Sequence, residues 1–87
     1  MKYYAYMLLC SDNTIYSGFT TDIRKREEAH NSGKAAKYTR CRLPAHMVYY
    51  EDFETKSEAM SREAAFKKLK RKEKEALIES FSFKYPD

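Results

Sequence analysis

Eighty-seven residues make one domain, and a content of 43% hydrophobic, 15% aromatic and 34% charged residues with only two Gly and two Pro excludes a disordered, collagenous or repetitive chain. Seventeen basic against thirteen acidic side chains give a net charge of +4, so the placement of the charges matters more than their sum. A chain this small also leaves little room for a large buried ligand cavity. Cys10 and Cys41 allow at most one disulfide, and adding His30 and His46 yields no pair at zinc-ligand spacing. The apolar start Tyr3–Cys10 is too short to span a membrane. Only Lys2 precedes it with positive charge, no small-residue cleavage site follows, and a bulky residue stands before Cys10, which argues against signal and lipoprotein sequences. The expected setting is a reduced cytoplasm.

In chain order, Tyr3–Cys10 reads as a strand that stops at the turn cluster Ser11-Asp12-Asn13-Thr14, and Ile15–Thr20 resumes as a second strand, completing a hairpin. Thr20-Thr21-Asp22 offers N-cap oxygens for a helix over Ile23–Ser32, with Gly33 at its C′ position. Lys34–Pro44 has no strong period and is expected to be an ordered loop. Ala45–Phe53 carries a third strand. Thr55-Lys56-Ser57-Glu58 has the form of a capping box opening a long helix through Leu69, which continues or restarts towards Ile78. The order β-β-α-β-α, with one further helix in view, predicts an α+β domain over residues 1–80: a small antiparallel sheet flanked by helices. The tail 81–87 is expected to fray.

Several residues resist a purely structural reading. The inward face of the first helix, stepping from Ile23, meets Arg26 and His30, so either the helix docks shallowly on Ile23 and Ala29 or these two face a cleft. Glu63 falls between Ala59 and Met60 in an apolar arc, which is costly for a carboxylate unless the arc is narrower, a neighbouring cation pairs with it, or it holds a metal. Gly18 lies inside a strand, where glycine signals a bulge or a close approach to the backbone. Between Asn31 and Tyr50 no acid occurs, whereas Lys34, Lys37, Arg40 and Arg42 do, interleaved with Tyr38. That segment suits phosphate contacts and base stacking better than the basic run Arg62–Lys74, which reads as a solvated helix face.

Tyr4-Ala5-Tyr6, Tyr16-Ser17-Gly18, Arg26, His30 and a helical Glu63, in this order and spacing, resemble the GIY-YIG nuclease domain from Tyr3 to about Ile78. The surroundings, His30-Asn31-Ser32-Gly33 and Ala36-Lys37-Tyr38-Thr39-Arg40, look most like its small stand-alone bacterial members. Tyr4-Ala5 stands for Gly-Ile, Ser17 for the middle Ile, and Phe19 where some relatives have lysine. The resemblance implies a three-stranded antiparallel sheet and a metal-dependent phosphodiesterase site with Tyr6, Tyr16, Arg26 and His30 as catalytic residues and Glu63 as the metal ligand.

In such a site an arginine forks onto two phosphate oxygens, and a single carboxylate holds one Mg²⁺ or Mn²⁺ weakly, with water and substrate oxygens completing its shell. A tyrosine base starts from a reference pKa of about 10 and a histidine from about 6.5, so Tyr16 and His30 compete for that role. The implied partner is nucleic acid, DNA ahead of RNA, with no membrane, and with a homodimer or protein partner left open. The alternative is a nucleic-acid-binding module with a weak or silent nuclease site. Geometry sharpens the expectation: a two-residue Asp12-Asn13 turn would put Tyr6 and Tyr16 on opposite faces of the sheet, whereas a three-residue Asp12-Asn13-Thr14 loop puts them together. An odd loop or a compensating bulge, with Asn13 in the left-handed region, is therefore predicted.

Overall fold

The computed structural model describes residues 1–86. Its hairpin joins β1 (Tyr3–Leu9) to β2 (Ile15–Thr20) through a turn in which the Cys10 amide donates to Thr14 O (2.9 Å) and the Asn13 amide to Cys10 O (3.0 Å). Asn13 has φ 69°. The loop therefore has an odd length, as predicted, but its three residues are Ser11-Asp12-Asn13. Thr14 is drawn into the strand side because its hydroxyl and amide both bond the Asp12 carboxylate (2.6 and 3.2 Å).

The sheet has the order β2-β1-β3, with β3 spanning His46–Phe53 and both pairings antiparallel. Being central and covered on both sides, β1 shows no apolar alternation. Tyr4, Tyr6 and Leu8 pack with Ile23, Ala45 and Met47 on one face, and Ala5 and Met7 with Tyr49 and Phe66 on the other. A register irregularity between Met7 and Leu8 moves the partner from Tyr49 to Met47.

On the tyrosine face lies α1 (Ile23–Asn31), opened by Asp22, whose Oδ1 accepts from the Lys25 amide (3.0 Å). It closes with Gly33 at φ 79°, the Lys34 amide donating to Ala29 O and the Gly33 amide to His30 O (3.0 Å each). The helix buries only Ile23 and His30. It docks by hydrogen bonds instead of an apolar stripe. Asn31 Nδ2 donates to Ala45 O and Asn31 Oδ1 accepts from the Ala45 amide (2.8 Å each), while Glu27 Oε2 accepts from the Met47 amide (2.7 Å). The docking is therefore not the shallow apolar contact on Ile23 and Ala29: His30 faces the sheet.

The connection after α1 contains a short helix, α2 (Lys37–Arg40), and a cis Leu43–Pro44 bond. On the opposite sheet face, α3 (Lys56–Lys68) starts at the predicted Thr55/Glu58 capping box. Arg62 fixes its rotation by reaching both carboxylate oxygens of Glu51 on β3 (2.9 and 3.0 Å). The chain then breaks at Leu69-Lys70 and restarts as α4 (Arg71–Glu79).

The tail is not frayed over the described residues. Phe81 packs edge-on against Tyr49 (4.9 Å between ring centroids), and Phe83 against Tyr50 (5.7 Å). Tyr50 donates to Lys84 O (2.6 Å), and the Tyr85 hydroxyl donates to Glu27 beneath the Arg24 guanidinium. Alternating aromatics pack against the rings of Tyr49 and Tyr50 on β3, a pairing invisible when the tail is read alone. The last residue of the expected 81–87 tail, Asp87, lies outside the described residues.

Replacing Asn31 with Ala leaves the Ala45 amide and carbonyl without their side-chain partner. We expect a loss of about 1–3 kcal/mol in urea unfolding, against little change for Ser32→Ala on the exposed side.

Candidate active site

Pairing Tyr6 with Gly18 and Leu8 with Tyr16 places Tyr6, Tyr16 and Gly18 on one face of the sheet. Gly18 is explained by close approach. A methyl group there would stand 2.5 Å from Tyr6 Oη and 2.7 Å from Cζ, so the Tyr6 ring lies across the β2 backbone. Only a residue without Cβ allows this. Because β2 is an edge strand, the phenol of Tyr6 is carried from the middle of the sheet towards its border.

There Tyr6 Oη meets His30 Nε2 (2.8 Å), and His30 Nδ1 meets Thr39 Oγ1 (2.9 Å). Proton counting settles the direction. Thr39 donates its one hydroxyl proton to Ala36 O (3.2 Å), so it accepts from His30 Nδ1–H, and Nε2 accepts from Tyr6. All three side chains are buried, at 2%, 1% and 0% relative exposure. Burial first, and then the Arg26 guanidinium, push the His30 pKa down to about 4, so the ring is neutral near pH 7. Burial chiefly, helped by Tyr16 and Glu63 against the opposing effect of Arg26, pushes the Tyr6 phenol well up, so it keeps its proton and donates. Those same influences locate the cluster: Arg26, Tyr16 and Glu63 are all close enough to act on Tyr6.

Tyr16 is different. It is half-buried, its hydroxyl bonds no group among the described residues, and its ring stands edge-on to His30 (5.3 Å) and stacked on Tyr38 (5.7 Å, 27°). Arg26 is half-buried and forms no ion pair among the described residues. Glu63 comes from α3, which packs against β2 as well as β1. Its side chain is 17% exposed, and its Oε2 pairs with Lys67 Nζ (2.8 Å) one helical turn on. The apolar arc drawn around it is narrower than the sequence suggests, since Met60 is exposed. Among the described residues no group of three or more His, Cys, Asp or Glu is assembled to hold a metal.

The basic segment divides. Lys34, Lys37 and Arg40 are exposed and unpaired among the described residues. Arg42 is instead a clamp: its guanidinium lies over the Tyr38 ring (4.1 Å), Nη1 donates to Tyr38 O (2.8 Å), and Nε pairs with Asp12 (3.0 Å). The acid that balances it comes from the hairpin loop, far off in sequence. Two participants escaped the sequence reading. Thr39 lies within the quoted Ala36–Arg40 stretch but carries no chemical signal of its own. Lys67 was signalled only by its i,i+4 spacing from Glu63.

Tyr6→Phe strands the buried His30 Nε2 and should cost about 1–3 kcal/mol in urea unfolding. Gly18→Ala, which displaces the same phenol, should cost at least as much, and the double variant less than the sum, because both remove one bond. With His30 held near 4 in the folded chain but at its ordinary value when unfolded, only the unfolded chain binds the proton between those values. Stability is therefore full above about pH 6.5 and falls by up to about 3 kcal/mol as pH approaches 4. Unfolding curves of His30→Gln should be flatter across that window.

The GIY-YIG catalytic domain model matches residues 2–76. The UPF0213 protein RBAM_000440 of Bacillus velezensis is 53% identical over 78 residues, covering 90% of this chain and 79% of the relative. The UPF0213 protein lmo0166 of Listeria monocytogenes is 51% identical over 77 residues, covering 88% and 86%. Two solution NMR structures share the fold: the UPF0213 protein BH0048 of Bacillus halodurans (46% identity, TM-score 0.57, 91% of this chain and 84% of that one) and EF2693 of E. faecalis (45%, TM-score 0.60, 100% and 95%). With its three-stranded sheet, its paired tyrosines and this match over nearly its whole length, the chain belongs to the GIY-YIG nuclease family.

Proposed function

We propose that this chain is a metal-dependent endonuclease that hydrolyses phosphodiester bonds in DNA, acting on branched, nicked or single-stranded substrates. The observation that carries the reading is Arg26: a half-buried guanidinium without an ion-pair partner among the described residues, held beside the Tyr6–His30 bond and the unoccupied Tyr16 hydroxyl. A cation kept partly out of water and unpaired is poised for an anion, and a phosphodiester offers two oxygens to its fork.

In the proposed reaction water attacks phosphorus, its proton passes to Tyr16 acting as the general base, and the ester P–O bond breaks towards the departing alkoxide while Arg26 stabilises the charge that builds on the phosphoryl oxygens. His30 is the weaker base candidate, because its acceptor nitrogen is committed to Tyr6 and its ring is buried. Tyr6 and His30 position the site, the single hydroxyl proton of Tyr6 being held by His30 Nε2. The donor set suits one weakly bound hard cation: Glu63 offers one oxygen without a partner among the described residues, so substrate and water must supply the rest. Glu63 would hold that Mg²⁺ or Mn²⁺, whose contribution when bound is to polarise the phosphate and ease departure of the leaving oxygen.

A nucleic-acid-binding module with a silent site is the second reading, favoured by Lys67 on the Glu63 carboxylate. Labelled DNA with Mg²⁺ or Mn²⁺ separates the two. Cleavage should fall by about 100-fold or more in Glu63→Gln and in Arg26→Ala, with Glu63→Gln still binding DNA. The rate should show no inflection near pH 6.5, the ordinary histidine value, because His30 stays neutral there. Cleavage indifferent to both substitutions overturns the nuclease reading.

A further inference from the structure

A cleft of about 330 Å³ opens between the end of β2, the outer side of α1 and the segment after Gly33. Thr20, Lys25, Arg26, Ala29 and Lys34 line it, with Asp22 as its one acid. We propose that this cleft seats the phosphate adjacent to the scissile one, so that the substrate strand leaves the active site along the first turns of α1; the proposal rests on the nuclease reading above.

Three features converge. Arg26 belongs both to the cleft and to the group acting on Tyr6, which makes the two sites continuous. Lys25 and Ala29 are four residues apart and share one side of α1; the small Ala29 leaves the floor open between two cations. Lys34 is fixed at the far wall by its amide bond to Ala29 O (3.0 Å) and by the turn at Gly33. Neither Lys25 nor Lys34 forms an ion pair among the described residues, and Asp22 Oδ1 is already taken by the Lys25 amide. Three cations against one capped acid, in a concave space joined to the candidate site, match a repeating anion better than a single small ligand. This shifts the strand path away from Arg42, which is spent on Asp12 and Tyr38.

The experiment uses the full chain. In a Glu63→Gln background, binding of fluorescent single-stranded and nicked duplex DNA is measured across a salt series, with and without Lys25→Ala/Lys34→Ala. The matched control is Lys72→Ala/Lys74→Ala on α4, which packs at β3 on the other side of the sheet. Loss of two phosphate contacts should lower the slope of log K against log salt by about 1.4–1.8 and weaken binding at low salt by about tenfold or more, with the α4 pair changing little. In the otherwise native chain the cleft variant should raise KM more than it lowers kcat. Both pairs weakening DNA equally, or neither doing so while the native chain still cleaves, overturns the cleft and leaves the nuclease reading standing. A native chain that neither binds nor cleaves DNA overturns both. Lys25, Lys34 and Lys72 are exposed and Lys74 is half-buried, and equal melting temperatures verify that folding is intact.

Discussion

The phenol of Tyr6 lying across Gly18 is the constraint from which the site follows. A central strand normally points its side chains straight off the sheet. Here the missing Cβ lets one ring lean over the edge strand, and its hydroxyl then reaches His30 on α1. His30 in turn engages Thr39 on α2. One chain of hydrogen bonds thus joins the sheet to two separate helices, and each link is buried where an unmet partner is expensive. The same bonds fix the histidine tautomer, while burial keeps both Tyr6 and His30 electrically neutral, which leaves Tyr16 and Arg26, unpaired among the described residues, as the chemically available groups.

Much of the fold was legible because β-sheet parity is strict. Requiring Tyr6 and Tyr16 to share a face dictated an odd loop, and Asn13 supplies the left-handed residue. The loop residues themselves were shifted by one, since the Asp12 carboxylate captures Thr14 and pulls it out of the turn. The Thr55/Glu58 cap and the glycine stop at Gly33 were readable for a similar reason: their signals act within five residues.

What escaped the sequence acts over longer separations. The side of α1 that faces the sheet is polar because Glu27, His30 and Asn31 bond groups on β3, β1 and the segment before β3, and no periodicity reveals such partners. The aromatic tail looked frayable because its hosts, Tyr49 and Tyr50, lie some thirty residues earlier. The candidate site was legible as a set of residue types in order, while the division of labour within it depended on burial and on which lone pairs were already used. Arg42 illustrates this: it looked like a nucleic-acid contact and is a structural clamp.

The return of the tail has a practical side. Pro86 comes to rest beside Tyr4 and the opening residues of α1, Ile23 to Lys25. A bulky group attached at Pro86 would therefore stand against the first turn of the very helix that carries Arg26 and His30 to the candidate site.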